Sequence, residues 1–145
     1  MSIRIPGNAF SGISALGAKA PEAGFYEVSI VELANPTNAP GKRRLYMTFE
    51  NGYKTFDFMN FPFDDNGNAL QGLKENQIRG QLAAVKAILM SLGYTNQEIE
   101  GTQAVTDEWF LTAQNGGRKA HVEFTPGQAG VQGSYNKVAW KTKAQ

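Results

Sequence analysis

Residues 76–92 read NQIRGQLAAVKAILMSL, and their pattern decides the fold. Ile78, Leu82, Val85, Leu89 and Leu92 step by four, three, four and three. That spacing keeps returning to one side of a 3.6-residue helix, with Arg79, Gln81 and Lys86 off the stripe. Gly93 follows where a left-handed residue closes a helix. Gly80 inside the run weakens it by about 1 kcal/mol against Ala, too little to break it. The spacing predicts one helix over Asn76 to Leu92.

Upstream of this helix the period is two. Gly24 to Leu33 (GFYEVSIVEL) sets Tyr26, Val28, Ile30 and Glu32 on one face and Phe25, Glu27, Ser29 and Val31 on the other. Asn35 to Gly41 (NPTNAPG) is a loop by composition. Lys42 to Glu50 (KRRLYMTFE) alternates again, with Leu45, Met47 and Phe49 opposite Arg44, Tyr46 and Thr48. Asn51-Gly52 then predicts a tight hairpin, since both residues accept positive φ. Tyr53 to Met59 (YKTFDFM) is the third strand, with Lys54, Phe56 and Phe58 opposite Tyr53, Thr55 and Asp57.

Downstream, Asn60 to Gly72 is a loop with an Asp-Asp-Asn-Gly turn. Thr95 and Glu98 have the spacing of a capping box for a short second helical turn. Trp109, Phe110 and Leu111 form an apolar knot that docks under the sheet or begins a strand. Asn115-Gly116-Gly117 is a turn. Lys119 to Thr125 (KAHVEFT) alternates with Ala120, Val122 and Phe124 inward, and a Gly-rich loop covers residues 126–133. Ser134 to Lys143 (SYNKVAWKTK) is the last strand.

The helix therefore stands after three strands and before two. The order β-β-β-α-β-β is that of an OB-fold: mainly β, a five-stranded barrel with one α-helix between strands 3 and 4. Residues 1–23 are rich in Gly, Ala and Ser without a period and read as a flexible N-terminal arm, with Phe10 and Ile13 as its anchors to the body. Residues 24–145 read as the OB-fold domain. A chain of 145 residues fits this single unit and buries a core without staples.

Composition narrows the chemistry. There is no cysteine, so disulfides, thiolate metal sites and a cysteine nucleophile are excluded. His121 is the only histidine and sits mid-strand, where it reads as a surface or ladder residue. No Ser-His-Asp set and no phosphate-loop lysine motif stand out. Asp64 to Asn68 (DDNGN) lacks the closing glutamate and flanking helices of a calcium loop and reads as a turn. The expectation is a protein that is no enzyme, with no cofactor and no metal site. No apolar run approaches a membrane span, and the N-terminus has no leader core, which points to a soluble, intracellular protein without a membrane partner. Net charge is +1, but residues 64–110 hold three Lys/Arg against seven Asp/Glu, and residues 111–145 hold five against one.

Basic and aromatic residues interleave on the strands. Single strands of nucleic acid need both, because bases stack on rings and Lys or Arg neutralise phosphates. Strand phase selects Arg43, Arg44, Lys54, Lys137 and Lys141 for phosphates, and Tyr46, Tyr53 and Tyr135 for stacking. Tyr46 shares its face with Arg44 and Thr48 and is expected exposed, whereas Tyr53 and Tyr135 fit either side. Phe49, Phe56, Phe58 and Phe124 are in phase with apolar neighbours and are expected in the core. Trp140, in phase with Val138, and Trp109 are also expected there. Phe61 and Phe63 flank Pro62 as a plug or a stacking platform.

The opening strand GFYEVSIVEL, the hairpin RLYMTFENGYKTFDFMNF, the helix QLAAVKAILMSLGY and the close GRKAHVEF…YNKVAW occur in an order that resembles a family of bacteriophage single-stranded DNA-binding proteins with an OB-fold. The resemblance runs from about Gly24 to Trp140. It implies non-enzymatic, largely sequence-independent coating and protection of single-stranded DNA during phage DNA replication or recombination, in the cytoplasm of the infected host cell. It also implies replication or recombination proteins as partners and a homo-oligomer on the DNA. Many single-strand binders end in an acidic tail that recruits partners, whereas this sequence ends Lys141-Thr142-Lys143-Ala144-Gln145. The alternative reading is a small structural or adaptor protein of a virion or replication complex that binds protein through the barrel.

Overall fold

The computed structural model describes residues 2–11, 18–35, 40–128 and 130–142. Five strands, β1 (Gly24–Ala34), β2 (Lys42–Phe49), β3 (Lys54–Asn60), β4 (Ala120–Thr125) and β5 (Lys137–Trp140), form one sheet in the order β3-β2-β1-β4-β5. Helix α1 (Glu75–Ser91) follows β3, and two short helices, α2 (Asn96–Gly101) and α3 (Asp107–Phe110), lead into β4. All four strand pairs are antiparallel, so the two outer strands, β3 and β5, run in the same direction. The sheet curls into a nearly closed OB-like barrel. Each end of α1 differs from the sequence expectation by one residue.

The core follows the alternation. Val28 and Ile30, Leu45, Met47 and Phe49, and Ala120, Val122 and Phe124 all point inward and are buried. Phe49 and Phe124 meet edge to face at 4.9 Å, and Tyr26 meets Phe49 at 5.4 Å. Against this wall α1 buries Val85, Ile88 and Leu89, while its N-terminal Leu82 stays exposed. Gly93 (φ 91°) ends the helix: its N–H donates to Met90 O, and Tyr94 N–H donates to Leu89 O. The predicted capping box at Thr95 is present, with Glu98 N–H donating to Thr95 Oγ1 and Thr95 N–H donating to Glu98 Oε1. The Trp109–Leu111 knot is the short helix α3, not a strand. It seats Phe110 in the core, 5.8 Å from Phe61.

Three expectations are corrected. The β2–β3 turn is a three-residue loop, Glu50-Asn51-Gly52. Gly52 N–H donates to Phe49 O, Phe49 N–H donates to Tyr53 O, and Gly52 takes φ 90°. Glu32 leaves the Val28/Ile30 face because β1 has a bulge between Ile30 and Glu32, which sets Glu32 opposite outward Tyr46. Thr112 meets the backbone there, donating its N–H to Ile30 O and accepting from Ile30 N–H. Phe56 and Phe58 are not core residues: they point outward and are 41% and 65% exposed. The inward positions of β3 are Thr55, Asp57 and Met59, in register with Met47, Leu45 and Arg43.

The two polar residues at inward positions of β3 have a definite use. No backbone ladder joins β3 to β5 among the described residues. Side chains cross that seam instead. Asn136 Nδ2 donates to Tyr53 Oη at 2.7 Å and to Thr55 Oγ1 at 3.3 Å, and Trp140 Nε1 donates to Asp57 Oδ2 at 2.9 Å.

Ile13 and the tail from Lys143 onward lie outside the described residues. Around Gly7–Phe10 the arm makes one 3-10 turn that buries nothing, and Phe10 is exposed instead of anchoring. The described contact of residues 18–23 with the β2–β3 turn is Asn51 Nδ2 donating to Lys19 O.

Candidate nucleic-acid interface

The site is the outer side of the β2–β3 hairpin. Its outward residues are Lys42, Arg44, Tyr46 and Thr48 on β2 and Lys54, Phe56, Phe58 and Asn60 on β3. Register makes cross-strand neighbours of Tyr46 and Phe56, and of Arg44 and Phe58. The rings touch: Tyr46 to Phe56 is 5.7 Å between centroids, and Phe56 to Phe58 is 5.4 Å at 85°. The Arg44 guanidinium lies over both phenylalanines, and its Nη1 donates to Tyr46 Oη at 3.3 Å. Three cations and three rings thus share the hairpin's outer side; its own outward positions include no carboxylate, and Glu32 of β1 stands next to Tyr46 at its border. Rings and cations set together in this way are chemically able to stack on a flat ligand and to neutralise an anion.

The other outer side, over β1, β4 and β5, has a different character. His121 Nε2 stands 2.7 Å from Glu27 Oε1, and Lys141 Nζ 3.5 Å from Glu123 Oε1. Lys141 is thus matched by Glu123, and the carboxylates on this side leave it less favourable to a polyanion than the hairpin.

The sequence-selected residues divide accordingly. Arg44, Tyr46 and Lys54 lie on the hairpin face. Arg43 does not: it shares the inward phase of Leu45, its side chain is only 16% exposed, and it is tied to Asp65 Oδ1 and Lys42 O. Tyr53 is half-buried in the seam. Its ring packs 5.8 Å from Phe49 and 6.1 Å from Phe124, so it offers no free face for stacking. Lys141 is paired with Glu123. Tyr135 is 77% exposed and stands in the β4–β5 loop beside the exposed Lys137.

That loop is placed by Asn136, which lies between them. Its Oδ1 accepts from Gly127 N–H at 2.9 Å while its Nδ2 reaches Tyr53 and Thr55, the residues on either side of Lys54. The backbone between Tyr135 and Lys137 is thereby brought up to the start of β3. Gly127 is required for this: a Cβ there would stand 2.8 Å from Ser134 O.

Phe56, Phe58 and Lys42 were missed by reading the sequence. The usable signal is in β3 itself, where Thr55 and Asp57 alternate with two phenylalanines and one set must face in. Phe61 acts as a plug, packing against Phe110, whereas Phe63 has its backbone bridged to Ala69 and its side chain exposed. Asp64 makes the expected turn by accepting from Asn66 and Asn68 N–H through Oδ1. Among the described residues no cluster of three His, Cys, Asp or Glu side chains could hold a metal, and no helix is long and apolar enough to cross a membrane.

Comparison with family models, curated proteins and solved structures gives no match to this chain.

Proposed function

We propose that this barrel is a non-enzymatic, largely sequence-independent binder of single-stranded DNA, with the β2–β3 hairpin as its contact surface. One observation carries the reading: Arg44, Tyr46, Phe56 and Phe58 form a contiguous cluster, the two phenylalanines exposed and Arg44 and Tyr46 half-buried instead of exposed as expected, flanked by Lys42 and Lys54, with no carboxylate among the hairpin's own outward positions. In OB-folds generally, the strand 2–3 face with the strand 1–2 and strand 4–5 loops is where oligonucleotides lie. That general rule, and the resemblance to phage single-strand binders, support the proposal, which includes a role in phage DNA replication or recombination. Unpaired bases expose π-faces that duplex DNA hides, so ring stacking favours single strands.

A protein-binding adaptor would use the same exposed rings but has no need of three cations around them. A titration separates the two. Anisotropy of a labelled dT oligomer and of a duplex of equal length is followed at low and high salt. Salt-sensitive preference for the single strand is expected. No binding at low salt would sink the proposal and leave the adaptor reading in its place.

A further inference from the structure

The two exposed phenylalanines already carry a guanidinium against their rings. The Arg44 guanidinium carbon stands 4.7 Å from the Phe56 centroid and 5.5 Å from that of Phe58. Its Nη1 is held by the Tyr46 hydroxyl, and its Nε is buried with no hydrogen-bond partner. Among the described residues no carboxylate pairs with it. A guanidinium is flat, delocalised and weakly hydrated, and it lies on rings much as a base does. For a half-buried guanidinium such as this one that stacking shifts an equilibrium by about two- to fivefold or more.

We propose that Arg44 is a placeholder: it rests on Phe56 and Phe58 in the free protein and is exchanged for a base when a nucleotide strand binds, its guanidinium turning to the strand's phosphate. The inference rests on the single-strand reading above and deepens it. Leaving the rings also lets Nε regain a partner, which removes the cost of a buried unpaired donor. The exchange needs two things from the ligand at once. A polyanion without rings finds the guanidinium held. An apolar side chain without a phosphate must displace the cation with nothing to receive it. Arg44 is thereby a specificity residue that favours nucleotides over both other ligand types.

The test is Arg44→Lys, titrated with a dT oligomer and with an abasic strand of the same length at three salt concentrations. Lysine keeps the charge, but its compact, strongly hydrated ammonium has no flat face to lay on the rings. The variant is expected to bind the dT oligomer about two- to fivefold more tightly than the wild type and the abasic strand at least as tightly, its charge no longer being held on the rings. Tyr46→Phe, which removes the hydroxyl holding Nη1 but keeps the ring, is expected to shift dT binding in the same direction. Equal or weaker dT binding by both variants, with the wild type still preferring dT over the abasic strand, overturns the placeholder and leaves the single-strand reading intact. A wild type that binds both strands alike overturns base stacking itself, and the single-strand reading with it.

Discussion

The indole N–H of Trp140 donates to Asp57 Oδ2 across the seam between β3 and β5. Asp57 sits at an inward position of its strand, opposite Leu45, where an apolar residue would otherwise be expected. Its partner explains why a carboxylate is tolerated there. Asp57→Ala leaves the half-buried indole donor unpaired and is expected to lower stability by about 1–3 kcal/mol, read as a fall in the urea midpoint. Asp57→Asn keeps an acceptor and is expected to cost less. Equal losses in both variants would mean that packing, not the bond, matters at this position.

Asn136 is the second link across the seam and the anchor of the β4–β5 loop. Asn136→Ala removes partners from Gly127 N–H, Tyr53 Oη and Thr55 Oγ1, for an expected loss of about 1–3 kcal/mol. The amide of Gly127 is expected to exchange with solvent faster in the variant, while amides at the centre of β1 keep their protection. Hydrogen exchange reads both. Unchanged exchange at Gly127 would show that the loop is placed by something else.

Phe58 and Phe124 are chemically identical and should behave as opposites. Phe58→Ala is expected to weaken binding of a dT oligomer by about 1–3 kcal/mol while shifting the urea midpoint little. Phe124 is wholly buried. Phe124→Ala is expected to cost about 3–5 kcal/mol of stability. A Phe58 variant that binds normally removes the hairpin face from the site.

Salt dependence sorts the lysines. Lys54 lies on the hairpin face, so Lys54→Ala is expected to reduce the slope of log K against log salt by about 0.7 on a single strand. Lys141, already paired with Glu123, is expected to leave the slope nearly unchanged when replaced by Ala. The reverse ranking would place the strand on the β1-β4-β5 side.

Glu98 supplies a pH signature. Hydrogen bonds from the Thr95 backbone N–H and side chain hold its carboxyl below the ordinary 4.5, helped by the Arg118 guanidinium. A carboxyl lowered in the folded state contributes stability that is present above its unfolded value and lost as pH falls through the folded one. Glu98→Gln is therefore expected to make thermal stability less steep below about pH 4.5 and to leave its pH dependence near neutrality unchanged. An acid limb identical to the wild type's would contradict this.

The strands and α1 were legible because each buries one face, and a buried face imposes its period on the sequence. Val28 and Ile30, Leu45 and Met47, and Val122 and Phe124 follow that rule. The site was legible only in part, and β3 shows why. Period two separates Phe56 and Phe58 from Thr55 and Asp57 but does not say which pair faces in. Hydrophobicity alone points the phenylalanines inward. The bonds from Asn136 and Trp140 that hold the polar pair inside come from residues about eighty positions away, beyond the reach of a local pattern. Arg43 and Tyr53 were misplaced for related reasons: one is drawn to Asp65, the other to the aromatic wall of the core.

The same seam sets the order in which the barrel comes apart. β1 lies between two laddered neighbours, whereas β5 has a backbone ladder to β4 alone and spans four residues. Local openings start where the fewest cooperative bonds must break together. Detaching β5 therefore needs less free energy than opening any interior strand, and it exposes the inner wall without dismantling the hairpin. Amides of β5 are therefore expected to exchange with solvent faster than those of β1, whose two ladders must break together.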